Sequence, residues 1–157
     1  MKPTLHLMVG LPCSGKTTLA KKLEHDYTAL RLTPDEWHTR LFGFDLENPE
    51  HDNRHNLIEA LMWDVAARAL TLGINVILDY GFWAIEERED YRTLAKNLGT
   101  GSQIHFLNVP REELLTRLET RNQNLPKGSF PIPKEKLEEW MTWFQLPSTA
   151  ELEVRAG

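Results

Sequence analysis

Cysteine is all but missing from this sequence: Cys13 stands alone, which excludes an internal disulfide and a thiolate-based metal cluster. Long apolar runs are missing too. No segment approaches the roughly 20 consecutive apolar residues that a membrane-spanning helix needs, and the first residues lack the basic-then-apolar pattern of a signal peptide. A soluble, cytoplasmic chain without a membrane partner is the expectation. Positive charge is in short supply, with 18 Lys and Arg against 23 Asp and Glu and a net charge of −5. Such a balance disfavours a partner held by broad phosphate attraction, although a small local basic patch is compatible with it. Repeats, low-complexity tracts and long linkers are absent as well. The 157 residues suffice for one domain, 1–157, with a core that needs no covalent staples.

What the sequence does contain is Gly10-Leu11-Pro12-Cys13-Ser14-Gly15-Lys16-Thr17, which reads G-x-x-x-x-G-K-[ST], the phosphate-cradling P-loop. The motif stands between an apolar strand, Leu5 to Val9, and an amphipathic helix from Thr17 to about His25 with Leu19, Ala20 and Leu23 on one side. Glycines let the backbone wrap closely around an anion, and the N–H groups at the positive end of the helix favour a polyphosphate there. Residues 10 to 18, with Thr18 the last of them, are therefore the expected ATP-binding loop. Lys16 would reach the β- and γ-phosphates and the Thr17 hydroxyl would ligate Mg²⁺. Cys13 reads as a small loop residue, because phosphoryl transfer onto a hydroxyl needs no covalent intermediate.

Further along, Tyr27 to Leu32 suits a second strand running into Thr33-Pro34-Asp35-Glu36-Trp37, where Pro34 opens a helix with acids in its first turn. Phe42 to Asn53 reads as a loop, and Arg54 to Leu72 as a helix stopped by Gly73. Asn75 to Asp79 has the composition of a buried parallel strand. Ala84 to Leu98 is expected as a helix with Ile85, Tyr91, Leu94, Ala95 and Leu98 inward, followed by a strand from Gln103 to Val109 and a helix from Arg111 to Arg121. Asn122 to Pro133 is too rich in Gly and Pro for a regular element, a last helix begins near Pro133, and Thr149 to Arg155 would add a short strand. Alternating strands and helices predict an α/β chain of the P-loop NTPase fold, with a parallel sheet of four to five strands covered by helices on both faces.

Several side chains have both a chemical and a purely structural reading. Asp79, ending an aliphatic strand, would assist Mg²⁺ through a water or cap the following turn. Asp35, beyond a strand end, would accept a proton from an acceptor hydroxyl or serve as a first-turn acid. Arg117 and Arg121 lie on one helical face before the broken segment, so 117–133 would form a lid that brings cations to the transferred phosphoryl group; the alternative pairs them with Glu113. Arg88 and Arg92, surrounded by Glu86, Glu87, Glu89 and Asp90, read as a solvated face, with Arg88 a candidate contact to the acceptor. His51 and His55 are four apart but lack the acidic H-E-x-x-H pattern, and read as surface histidines outside any metal cluster. Among the aromatics, Phe82, Trp83, Trp140, Trp143 and Phe144 read as core, with Phe82 and Trp83 close enough to Asp79 to line an acceptor pocket.

The stretches G-L-P-C-S-G-K-T-T at 10–18, T-P-D-E-W at 33–37, V-I-L-D-Y-G-F-W at 76–83 with Glu87-Arg88, and N-V-P-R-E-E-L-L-T-R-L-E-T-R-N at 108–122 together resemble a P-loop kinase family. That family includes the 5′-hydroxyl polynucleotide kinases and bacterial ATP-dependent kinases of the AAA type. The resemblance implies that Asp35 is the general base and that Arg117 and Arg121 belong to a lid over the phosphates. The polynucleotide kinases place an arginine three residues after the base to grip the acceptor's phosphate, where this chain has His38, a candidate acceptor contact in its place. A nucleic-acid acceptor is therefore compatible but not favoured. The resulting expectation is a Mg²⁺-ATP-dependent kinase acting on a hydroxyl of a small molecule, nucleoside or nucleic-acid end. An ATP hydrolase acting as a switch, or a nucleotide-binding interaction module, is the alternative.

Overall fold

Val76-Ile77-Leu78 is a β-branched and aliphatic run, and it becomes the strand β3 (Val76–Gly81), buried along nearly its whole length. In the computed structural model, which describes residues 2–157, β3 pairs in parallel with β1 (Thr4–Val9) on one side and with the short β2 (Leu30–Leu32) on the other. A fourth strand, β4 (Gly101–Phe106), pairs in parallel with the far side of β1, so the order is β2-β3-β1-β4. Four parallel strands fall within the predicted range.

The period of two along the strands separates two cores. Leu5, Leu7 and Val9 of β1 pack with Val76 and Leu78 against Ile58, Met62 and Leu70 of α3 (His51–Thr71) and Ala95 of α4 (Ile85–Asn97). Met8 and Ile77 point to the other face and meet Ala20 and Leu23 of α1 (Lys16–Asp26). Helices thus cover both faces, as a parallel sheet requires. A third cluster joins Leu114 and Leu118 of α5 (Arg111–Gln123) to Leu137 of α6 (Lys134–Trp143), with Phe130 and Ile132 of the intervening segment buried between them. Asn122 holds that segment as well: its Nδ2 donates to Ile132 O at 2.7 Å and its Oδ1 accepts from Ile132 N at 3.2 Å. No described helix is long and apolar enough to cross a membrane.

Three elements differ from expectation. First, α3 begins at His51, inside the predicted loop. Asn48 Oδ1 accepts from Glu50 N at 2.8 Å, a local turn that starts the helix one turn early and puts His51 and His55 on the same helical face. Second, α4 turns Arg88, Arg92 and Ala95 inward and leaves Ile85, Leu94 and Leu98 exposed, contrary to the expected apolar face. Third, the predicted C-terminal strand is reduced to one antiparallel bridge between Ser102 and Arg155. The last two differences share a cause. Arg88 pairs with Glu151 at 2.9 Å, while Arg92 donates to the carbonyls of Glu151 and Glu153, so buried guanidinium groups fasten the tail across α4.

Between β2 and α3, α2 (Pro34–Phe42) starts directly at the sheet's carboxyl edge, with Pro34 in its first turn as expected. The ends of β1, β2 and β3 therefore bring the P-loop, Thr33-Asp35 and Asp79 to one edge. That edge is where open α/β sheets place their ligands.

Candidate active site

The loop between β1 and α1 follows from two tight approaches. A Cβ on Gly10 would lie 2.6 Å from Ser14 Oγ, and Gly10 N donates to Gly81 O at 3.0 Å. Gly81 has φ +99, and a Cβ there would stand 3.3 Å from Gly10 O and 3.5 Å from Lys16 Cε. Only residues without side chains let the two strand ends close this far. Further round the loop, Cys13 itself adopts a positive φ of 72.

Asp79 sits at the centre of the polar contacts. Its Oδ2 accepts from Thr17 Oγ1 at 2.6 Å and from Thr33 Oγ1 at 3.0 Å. Its Oδ1 is 3.8 Å from Lys16 Nζ. Among the described residues, Asp79 Oδ1 and Ser14 Oγ are the buried side-chain polar atoms with no hydrogen-bond partner. A buried carboxylate oxygen left open costs free energy unless something joins it. A hydroxyl and a carboxylate are the hard oxygen donors Mg²⁺ takes, so Thr17 and Asp79 fit that ion. Thr33 opens the T-P-D-E-W stretch, but nothing in the sequence marks it as a partner of Asp79.

Above the loop, α5 brings both predicted arginines to Cys13. Arg117 Nη1 donates to Cys13 O at 3.1 Å while its Nη2 pairs with Glu113 at 2.7 Å, the ion pair that the sequence offers as the alternative. Arg121 Nη1 lies 3.9 Å from Cys13 Sγ. The segment after α5 leans over the same space. A cavity of about 240 Å³ is bounded below by Lys16, Thr17 and Thr18 and above by Arg121, Lys127 and Ser129.

A second cavity of about 430 Å³ adjoins the first, and both have Lys16 and Asp35 in their walls. Trp83, Trp140 and Trp143 line its aromatic side, with the Trp83 and Trp140 rings 5.5 Å apart. Its polar side carries Asp52, His51 and His55. The volume lies within the usual range for a small-molecule site.

Behind this wall the structure assembles a cluster that no sequence motif announces. His38 Nε2 and His51 Nδ1 each lie 2.6 Å from Asp45 Oδ1, and Arg54 Nη1 donates to Asp45 Oδ2 at 2.9 Å. Burial works against the Asp45 charge, but the hydrogen bonds from His51, Arg54 and His38 hold its carboxyl well below the usual carboxylate range. His38 Nδ1 is 3.0 Å from His55 Nδ1, and His55 Nε2 is 3.9 Å from Asp35 Oδ1. The surface assignment of His51 and His55 is thus overturned: His51 is buried and His55 half-buried. Their i,i+4 spacing is the available signal, and a loop over 42–53 hides it. Glu59 on the same helix is another acid the sequence does not reveal. Burial, with Glu87 and Asp35 adding to it, pushes its carboxyl up to about 8.

Three expected acceptor contacts are corrected. Arg88 is fully buried, its guanidinium bonded to Glu151 and to Phe82 O, so it reaches neither cavity. Phe82 is 2% exposed and stacks on Tyr80 within the core. His38 is fully buried behind His51 and His55. Buried and already partnered in this way, these side chains offer no surface to an acceptor molecule. Asp35 and Trp83 are the two expected acceptor-side residues that do line the second cavity.

Known proteins share this fold. The fold is similar to a chain of the Pnkp1/Rnl/Hen1 RNA repair complex, with a TM-score of 0.73 and 25% identity over 90% of this chain and 43% of that one. The present chain therefore spans less than half the length of that relative. Kti12 from Chaetomium thermophilum, solved in complex with ADP-AlF3, superimposes with a TM-score of 0.69 at 22% identity, over 93% of this chain and 82% of that chain. A gluconokinase from Sinorhizobium meliloti 1021 gives 0.66 at 17% identity, over 96% and 80%. The likeness covers at least 90% of this chain in each case, and it agrees with the resemblance to P-loop kinases in the motifs. Residues 5–147 match the family described as AAA domain (AAA_33), and the chain belongs to that family within the P-loop NTPase fold.

Proposed function

We propose that this protein transfers the γ-phosphoryl group of ATP to a hydroxyl of a small acceptor. One observation carries the proposal: Lys16 and Asp35 stand together in the walls of two adjoining cavities, one over the P-loop and one lined by tryptophans. A triphosphate in the first cavity and an alcohol in the second would meet between a cation and a carboxylate.

In this reading the amides of residues 10–18 and Lys16 hold the phosphates, and charge developing on the transferred group is met by Lys16, Arg117 and Arg121. Asp35 accepts the acceptor's proton as the O–P bond to the acceptor forms and the bond to the leaving ADP oxygen breaks. Mg²⁺, held by Thr17 and Asp79, would neutralise charge on the β- and γ-phosphate oxygens. Segment 123–133, continuous with α5, would act as the lid that excludes water.

The acceptor cavity offers indole faces and carboxylates, which suits a neutral or cationic ring-bearing alcohol such as a sugar or nucleoside. A polynucleotide 5′ end is the second reading, favoured by the 25% identity to the RNA-repair chain and opposed by the net charge of −5. The test follows the label of γ-labelled ATP by thin-layer chromatography with sugars, nucleosides and 5′-hydroxyl oligonucleotides. Label moving to an alcohol, and lost in Asp35→Asn with nucleotide binding intact, supports the proposal. Label found only in free phosphate with every acceptor class would identify a hydrolase instead.

A further inference from the structure

We infer that His38, His51 and His55 form a binding site for one divalent transition-metal ion of the zinc and cobalt class, distinct from the P-loop Mg²⁺ ligands. The inference does not rest on the phosphoryl-transfer reading. One ring nitrogen from each histidine lies within 4.8 Å of the other two. The orientation of the remaining nitrogens carries the argument further. A histidine that ligates a metal through one nitrogen almost always donates its other N–H to a carboxylate or carbonyl.

Two of the three rings meet that description, and the third faces a carboxylate beyond hydrogen-bond distance. His38 turns Nε2 to Asp45 at 2.6 Å and His51 turns Nδ1 to the same oxygen at 2.6 Å. His55 turns Nε2 toward Asp35, 3.9 Å away. Each ring therefore keeps one nitrogen for the interior of the cluster, and those of His38 and His55 face each other at 3.0 Å. When the outer nitrogens carry the hydrogens, the two inner ones are bare lone pairs, and either a shared proton or a metal ion joins them. A spacing of 3.0 Å suits two ligands of one ion at bond lengths of about 2.0–2.1 Å, and His51, within 4.8 Å of both, must shift inward to join them.

The surroundings fit as well. Arg54 balances the second oxygen of Asp45, leaving that carboxylate as an orienting group and not a fourth ligand. Phe130 stands edge-on to the His38 and His51 rings at 5.2 and 5.3 Å and shields them from water. His51 and His55 also line the second cavity, so a fourth coordination position would open toward it. Three imidazoles select zinc, cobalt or nickel over Mg²⁺ and Ca²⁺, whose preferred donors are oxygens. An ion here would fix His55 with its Nε2–H turned to Asp35.

The experiment is a Co²⁺ titration of the untagged full chain after chelator treatment, without nucleotide, followed by X-ray absorption on the Zn²⁺ form. The expected result is one Co²⁺ per chain with visible d–d absorption, and three imidazole nitrogens at about 2.0–2.1 Å from zinc. His55→Ala should abolish the absorption, Asp45→Asn should weaken binding about 10- to 100-fold, and Thr17→Ala should leave it in place. Absence of Co²⁺ and Zn²⁺ binding by the unmodified chain would overturn the inference, since only a shared proton would then occupy the gap. Binding that survives His55→Ala but is lost in Thr17→Ala, or an oxygen-only absorption spectrum, would overturn it equally. Because the absorption measurement uses the unaltered protein, it decides the matter even if a histidine variant misfolds.

Discussion

Thr17 Oγ1 donates a 2.6 Å hydrogen bond to Asp79 Oδ2, while the second oxygen of that carboxylate is buried with no hydrogen-bond partner. The helix start and the strand end are thereby held in register before any ligand arrives. An ion added here would find one hydroxyl and one open carboxylate oxygen already in place.

Asp79→Asn should therefore remove most of the gain in ATP affinity that Mg²⁺ provides, while ATP binding measured in chelator changes little. Thr17→Ala should do the same and Thr17→Ser should retain the wild-type response, because only the hydroxyl is needed. Calorimetry with and without Mg²⁺ checks all three. An unchanged Mg²⁺ effect in Asp79→Asn would remove this carboxylate from the ion's surroundings.

Cys13 lies between the P-loop glycines and is touched from above by Arg121. Thiol reagents should inactivate the protein, and bound Mg²⁺-ATP should slow their reaction at least several-fold by covering the loop. Mass spectrometry of the modified chain reads the rate directly, since Cys13 is the sole thiol. Equal rates with and without ATP would contradict a phosphate tail beside it.

Arg88 and Glu151 form a buried pair that joins α4 to the C-terminal segment. Removing one partner leaves the other buried and unpaired, which typically costs about 3–5 kcal/mol. Arg88→Ala should lower the melting temperature by roughly 6–20 °C, on the usual scale of about 2–4 °C per kcal/mol for a chain of this size. Transferase activity per folded molecule should stay near wild type, since Arg88 reaches neither cavity. A variant with unchanged melting and lost activity would return Arg88 to the site.

The same pair shows where the sequence is legible and where it is not. The P-loop, the alternation of strands and helices, and the positions of Asp35 and Asp79 at the sheet edge are readable, because local motif geometry and apolar period dictate them. Arg88 and Arg92 are not, because helical period assigns charged positions to solvent, and only the distant Glu151 and Ser102 reveal why burial is tolerated. Similar reasons apply to α3, where Leu57, Leu61 and Val65 keep helical spacing yet are exposed, while Ile58, Met62 and Ala66 face the sheet. Two adjacent apolar stripes fit one helix, and the choice between them is made by tertiary packing. The histidine cluster needs three separate facts at once: an early start to α3, a loop that returns Asp45, and His38 on the buried face of α2. None of these is a local property.

The two sides of the sheet should also respond oppositely to pH. His6 is 2% exposed, stacked on Tyr27 and 2.9 Å from His105 Nε2; burial, with His105 adding to it, lowers its pKa from 6.5 to about 4. Between those values the unfolded chain binds a proton that the native chain does not, so stability falls as pH drops from about 6.5 to 4. The full effect is on the order of 3 kcal/mol, at about 1.4 kcal/mol for each tenfold change in proton affinity. Glu59 behaves in the opposite sense. With its carboxyl raised from 4.5 to about 8, the native chain holds the extra proton, and stability falls as pH rises through that window. The two windows overlap between about pH 4.5 and 6.5, where their slopes oppose each other, so urea midpoints should stay nearly level there and fall from about pH 6.5 toward 8. His6→Gln should expose a fall in stability with rising pH from about 4.5 upward, and Glu59→Gln should flatten the fall above about pH 6.5 and leave a rise from about pH 4 to 6.5. If Glu59→Gln left the fall toward pH 8 unchanged, that carboxyl would have to be charged in the native chain at neutral pH, and the upward push of burial on it would be wrong.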